Sequence, residues 1–178
     1  MEERALAGGR TVADGLVAVV KRDCPTCVLV APVLADLAAR TDLVVLTQDD
    51  PTFPEGVPDV VDDTDLDFSW HHDLDTVPTL LRFEAGEEAA RIVGWDRAQW
   101  EAFFGLTGLG PDLPAWRPGC GSLSVDPNLS DELAVRYGGS VLRSRRIELA
   151  ALEDEFEALF DRGWTDGLPV VPPTEARV

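Results

Sequence analysis

The chain predicts an α/β fold, a mixed sheet flanked by helices, followed by a helical and extended C-terminal appendage. Three observations predict it. Two apolar, β-branched runs, Leu16–Val20 and Leu43–Leu46, bracket a stretch with helical recurrence. Two further runs, Thr79–Phe83 and Ala89–Val93, flank Gly86 at hairpin spacing. A Gly- and Pro-rich stretch, Gly108–Gly121, then separates this pattern from an amphipathic stripe and a proline-rich tail.

Residues 1–15 read as a short lead-in with weak helical character. Leu16–Val20 is a continuous apolar run, as expected of a buried strand. Within 25–40, Val28, Leu29, Val33, Leu34 and Leu37 recur on one helical face, with Pro32 a kink position. Leu43–Leu46 follows as a second strand, parallel to the first if the helix is a crossover. Gln48–Pro58 reads as a loop, and a short helix is expected around Asp65–His72. Thr79–Phe83 and Ala89–Val93 form a hairpin. Asp96 caps a helix to about Phe104 that turns Trp100, Phe103 and Phe104 inward. This unit closes near Gly108, giving domains of 1–108 and 109–178.

In the second part, Ser140–Arg146 is polar and basic. Leu149, Leu152, Phe156, Leu159 and Phe160 recur as one helical stripe. Gly163–Thr174 is apolar and proline-rich, hence expected to be extended with polyproline character. Its Trp164, Leu168, Val170 and Val171 need a surface: the core, a second copy in a homodimer, or a partner protein.

The 178 residues carry a net charge of −18, which argues against nucleic acid and anionic membranes as partners. Thr41–Leu80 holds eleven acidic residues and no Lys or Arg. The acidity reads equally as solubility or as a determinant of partner choice. No apolar run approaches the ~20 residues that span a bilayer. The N-terminus lacks the layout of a signal peptide. Three cysteines imply no multi-bridge secreted scaffold, so a reducing cytoplasm is expected.

The chemistry concentrates in Cys24-Pro25-Thr26-Cys27, which opens the first helix. A cysteine at a helix N-terminus has its thiolate stabilised by unpaired backbone N–H groups. Cys27 lies one turn on, within reach of a mixed disulfide at Cys24. Pro25 suits the first helical turn because its missing N–H would have been unpaired there. Lys21 and Arg22 favour a thiolate and Asp23 disfavours one. The bland reading is two core cysteines, or half of a zinc site completed by Cys120, His71 and His72, whose spacing fits no common pattern.

Residues 16–105 resemble the thioredoxin family. Cys24-Pro25-Thr26-Cys27-Val28-Leu29-Val30-Ala31-Pro32-Val33-Leu34 is similar to its active-site helix with the kink proline. Thr76-Val77-Pro78-Thr79-Leu80-Leu81-Arg82-Phe83 resembles the strand entered through a cis-proline. Glu84-Ala85-Gly86-Glu87 and Val93-Gly94 resemble the turn and glycine that follow. The resemblance implies a thiol–disulfide oxidoreductase that needs no bound cofactor. Cys24 would attack and Cys27 resolve. Pro25, Thr26, Val77 and Pro78 would contact substrate, with Val77–Pro78 cis and the Val77 backbone pairing with the substrate chain. The implied partners are a disulfide-containing protein or small thiol substrate and a separate reductase or thiol donor.

Two positions depart from the family. Ala18 stands where a buried carboxylate is frequent, and Lys21, the chain's single lysine, is not the lysine that accompanies it. Asp23 replaces the tryptophan before the first cysteine. Both departures imply a dedicated exchanger with few partners. Cys120, between Gly119 and Gly121, reads as an accessory thiol or as an ordinary turn cysteine. His71 and His72 read as helix-end surface residues or as titrating groups near the site. The stretch Gly163–Thr174 resembles the opening of UGSC-motif proteins, which implies a role as reductant or accessory for such a protein. The rival expectation is a non-catalytic docking or redox-sensing subunit of a partner enzyme.

Overall fold

A computed structural model describes residues 5–6, 10–11, 14–138, 149, 154–168 and 170–172. The elements in chain order are β1 (Ala5–Leu6), β2 (Arg10–Thr11), β3 (Gly15–Val20), α1 (Pro25–Arg40), β4 (Leu43–Thr47), β5 (Val61–Asp62), α2 (Asp67–His71), β6 (Thr76–Val77) and β7 (Thr79–Glu84). They continue with β8 (Glu87–Val93), β9 (Trp95–Asp96), α3 (Arg97–Phe104), β10 (Trp116–Arg117), β11 (Cys120–Gly121), α4 (Ser130–Tyr137) and α5 (Glu155–Asp161).

The central sheet is mixed, in the order β5-β4-β3-β7-β8. β3 pairs parallel with β4 through the α1 crossover and antiparallel with β7. As the middle strand it is covered on both faces, which explains its unbroken apolar run: Val17, Ala18, Val19 and Val20 are all fully buried. The β7–β8 hairpin turns through Ala85 and Gly86, both at positive φ, matching the right-handed twist of the strands. Val30, Leu34 and Leu37 of α1, Leu46, Leu80, Leu81, Trp95 and Trp100 fill one core. Asp96 caps α3 by accepting from the Gln99 backbone N–H.

The principal strands and helices fall where the apolar periodicity predicts them. The lead-in differs. Its described residues form a two-stranded ladder, with Ala5 opposite Thr11, rather than a helix. β5 was not expected, because a two-residue strand in an acidic stretch carries no periodicity.

The polypeptide divides into two compact units, Met1–Ser130 and Asp131–Val178. The first therefore runs past the expected boundary at Gly108. The Gly/Pro stretch belongs to it because side chains of β9 and α3 hold its carbonyls. Trp95 Nε1 donates to Pro114 O at 2.6 Å, and Arg97 Nη2 donates to Gly110 O at 2.8 Å and to Leu113 O.

In the second unit, α5 starts at Glu155 because the Asp154 carboxylate caps it. Leu149 lies outside any helix, which shortens the expected stripe. Leu152, Ser140–Arg146, Pro169, Pro173 and Thr174 fall outside the described residues. Trp164–Leu168 bends rather than extends, with Gly163 and Gly167 at positive φ. Phe156, Phe160, Leu168 and Val170 line an open cleft of about 640 Å³.

Candidate functional site: a three-cysteine cluster

Cys24 is the N-cap of α1, in extended conformation. The free N–H groups of the first helical turn therefore converge on its sulfur: the Cys27 backbone N–H donates to Cys24 Sγ at 3.3 Å. The preceding loop is fixed from β4's C-terminal end. The Asp49 carboxylate accepts from the backbone N–H groups of Arg22 and Asp23 at 2.7 and 2.8 Å. Arg22 reaches Asp50 and Glu55 and lies over the Phe53 ring. Part of the chain's acidity thus serves to shape the approach to the CxxC.

The site holds three sulfurs. Cys24 Sγ and Cys120 Sγ are 2.7 Å apart and hydrogen-bonded. Cys24 is 1% exposed and Cys27 is fully buried, whereas Cys120 is only half-buried. The Cys24 thiol is lowered to about 5. The first cause is the Cys27 thiol donating to the Cys24 sulfur; the Cys120 thiol and the backbone N–H groups of Cys27 and Thr26 add to it against the opposing effect of burial. Cys27 is pushed strongly upward by burial and by the adjacent Cys24 thiolate. Cys120 moves up for the same two reasons. At neutral pH the cluster is one thiolate held by two protonated neighbours.

Ala18 is fully buried opposite Val45 and Leu80. Cys27 belongs to the same apolar core and is desolvated by its burial there.

The Val77–Pro78 peptide is cis, as is Phe53–Pro54. Val77 is fully buried and its carbonyl lies 3.6 Å from Cys24 Sγ. The backbone edge of Val77 is not open. β11 pairs antiparallel with β6, setting Cys120 opposite Val77 and Gly121 opposite Thr76. Just upstream, β10 pairs with β9. Residues 116–121 thus form a strap laced along two short strands across the mouth of the CxxC.

Glycines permit this closeness. A β-carbon on Gly119 would stand 2.7 Å from Val77 O, and one on Gly94 2.9 Å from Gly119 N. Gly94 also has φ +74, which favours glycine. Thr26 is buried, with its hydroxyl donating to Pro118 O at 2.7 Å, so the strap occupies it. Pro25 is exposed beside it.

Behind the strap, a buried polar network ties it to the sheet. Gln48 Nε2 donates to Ser69 Oγ and Ser122 Oγ at 2.7 and 2.6 Å. Ser69 in turn donates from N and Oγ to Asp63, which also accepts from Phe68 N. Burial raises the Asp63 carboxyl to about 6.

The CxxC and the cis-proline region lie together, with Val77 O 3.6 Å from Cys24 Sγ. Cys120 joins them, its sulfur 2.7 Å from Cys24 Sγ. The histidines lie elsewhere: His72 packs between the Phe68 and Phe83 rings, and His71 Nδ1 lies 3.1 Å from Asp67. Among the described residues, no group of three or more His, Cys, Asp or Glu side chains is arranged to hold a metal ion. The strap's partners Thr26, Gln48 and Gly94 are well separated along the sequence, and polar or glycine positions so spaced leave no local pattern.

No protein-family model and no curated protein matches the chain. Among solved structures, oxidised thioredoxin O2 of Arabidopsis thaliana is similar at 21% identity. The match covers 52% of this chain and 73% of that one, with a TM-score of 0.38. Oxidised thioredoxin O1 of the same plant is 19% identical over 52% and 76% of the two chains, TM-score 0.37.

Proposed function

We propose that the protein is a thiol–disulfide oxidoreductase that reduces a protein or small-molecule disulfide through the Cys24–Cys27 dithiol. One observation carries this reading: Cys24 caps a helix with the Cys27 backbone N–H donating to its sulfur at 3.3 Å, an arrangement that lowers its thiol and favours the thiolate. A thiolate is the attacking species in exchange, and a second thiol within reach of the first makes its resolution intramolecular. Cys24 attacks sulfur, displacing a thiolate from the substrate. Cys27 then attacks Cys24 Sγ, passing its proton to the second leaving sulfur, and the substrate departs reduced. A separate reductase or thiol donor restores the dithiol. We propose a reducing, cytoplasmic setting, in which a CxxC serves exchange more readily than structure; no described helix is long and apolar enough to cross a membrane.

The test is insulin or glutathione disulfide reduction with dithiothreitol as donor. Cys24→Ser should abolish turnover while the far-ultraviolet circular dichroism is retained. Retained turnover in that variant rules the reading out.

A second reading, a redox-sensing accessory subunit, is favoured by the near-complete burial of Cys24 and by exposed Phe156, Phe160, Trp164 and Leu168 in the second unit. It predicts that removing residues 163–178 abolishes function in the cell with thiol exchange unchanged.

A further inference from the structure

We infer that Cys120 is a third redox thiol of this site: an external disulfide is engaged at Cys120, and Cys24 completes the exchange by bonding to the Cys120 sulfur. This rests on the oxidoreductase reading above and changes its first step: the external disulfide meets Cys120 before Cys24.

Three observations carry the inference. First, access: Cys24 is 1% exposed and Cys27 not at all, so of the three sulfurs the half-buried Cys120 is the one an outside disulfide can reach. Second, distance: at 2.7 Å the Cys24 and Cys120 sulfurs need approach by only about 0.7 Å more to stand at disulfide length. Third, the closeness is built by the fold. Cys120 is set in register opposite Val77 by the β11–β6 pairing. Pro118 is held by Thr26, Ser122 is held by Gln48, and Ser122 N donates to Asp75 O at 2.9 Å. Glycine at 119 lets the strap lie on Val77. A turn cysteine with no role would need none of these fastenings.

The steps balance. The Cys120 proton passes to the Cys24 thiolate across the 2.7 Å contact, and the Cys120 thiolate so formed attacks one sulfur of an external disulfide R–S–S–R′, forming Cys120–S–S–R and releasing R′S⁻, which takes that proton from Cys24 and restores its thiolate. The Cys24 thiolate attacks Cys120 Sγ, forming the Cys24–Cys120 disulfide and releasing RS⁻, which is protonated from solvent. Two protein thiols are oxidised and one external disulfide is reduced to two thiols. Cys27 can then attack Cys24 Sγ, moving the disulfide to Cys24–Cys27 and its own proton to Cys120. That transfer is redox-neutral, buries the oxidised pair and frees Cys120 for another encounter.

The test uses the full-length reduced protein and glutathione disulfide as the probe. Reaction is quenched with acid and the linkages are mapped by mass spectrometry after non-reducing digestion. Cys27→Ser is expected to accumulate the Cys24–Cys120 disulfide. Cys120→Ser is expected to form Cys24–Cys27 more than about threefold more slowly than the wild type, with circular dichroism confirming its fold. A Cys27→Ser protein that ends as a glutathione adduct with Cys120 still free overturns the inference. So does a Cys120→Ser protein that oxidises faster than, or within about threefold of, the wild-type rate. In both cases a Cys24–Cys27 disulfide in the wild type leaves the oxidoreductase reading standing. Absence of any disulfide in the wild type overturns both.

Discussion

The side-chain amide of Gln48, at the end of β4, donates to the hydroxyl of Ser122 at 2.6 Å, and its carbonyl accepts from Leu123 N at 3.1 Å. Gln48 is 1% exposed. This one buried amide fastens the C-terminal end of the strap to the central sheet, and through the strap it sets where Cys120 lies.

Replacing Gln48 by Leu keeps the volume near and removes all three of its side-chain bonds, to Ser69, Ser122 and Leu123. Leu123 N and a share of the Ser69 and Ser122 hydroxyl pairing lose their partner, at a cost of about 1–3 kcal/mol. The loss should concentrate in the strap. Urea melts should show the destabilisation, and amide hydrogen exchange should accelerate at Ser122 and Leu123 well before the β3 amides. Uniform acceleration across the sheet would assign Gln48 to the core generally.

Gly119 and Gly121 flank Cys120 but differ in what a methyl group would meet. At Gly119 the β-carbon would press on Val77 O; at Gly121 nothing lies within 4 Å. Gly119→Ala should lift the strap, at a cost of about 1–3 kcal/mol. Gly121→Ala should leave it in place. The readout is the rate of Cys24 alkylation by iodoacetamide at neutral pH, faster in the first variant and unchanged in the second. Equal rates in both would show that the strap does not shield Cys24.

How much of this was legible beforehand follows from the range of each interaction. β3, β4, β7, β8, α1 and α3 are readable because their signals are local: β-branched runs, helical recurrence, an Asp96 cap. The CxxC at a helix start is equally local. The strap is not. Its Gly and Pro residues carry the composition of a linker, and what makes them structure is Thr26, Gln48, Trp95 and Arg97 binding them from far along the chain. The antiparallel pairing of Cys120 with Val77 joins two-residue strands, too short for alternation to show. The same holds for β5.

Asp63 gives a pH dependence of stability with a definite sign. Its folded carboxyl sits at about 6, above the ordinary 3.8, because burial disfavours the charge. Between these values the folded state binds the proton and the unfolded state does not. Its contribution is therefore fully present below about pH 4 and lost as pH rises through about 6, by about 2–3 kcal/mol. Asp63→Asn removes this component, although it sacrifices acceptors for Ser69. Guanidinium melts from pH 4 to 7 should show the wild type losing stability relative to the variant. A constant difference between the two would place Asp63 at an ordinary value.

Cys24 has the opposite sign. Its folded thiol is lowered to about 5 from an ordinary 9.0, so between these values the folded state holds a thiolate while the unfolded chain holds a thiol. Its contribution is present above about pH 9 and is lost as pH falls towards about 5. The absorbance of the thiolate near 240 nm gives the titration directly, and the wild type should show one cysteine ionising with a midpoint near pH 5. The Cys27 thiol is the largest stabilising partner, so Cys27→Ala should move the midpoint up, and by more than Cys120→Ala does. The reverse order would make Cys120 the principal donor to the thiolate. A midpoint near 8.5 in the wild type would mean that neither neighbour, nor the head of α1, holds the charge.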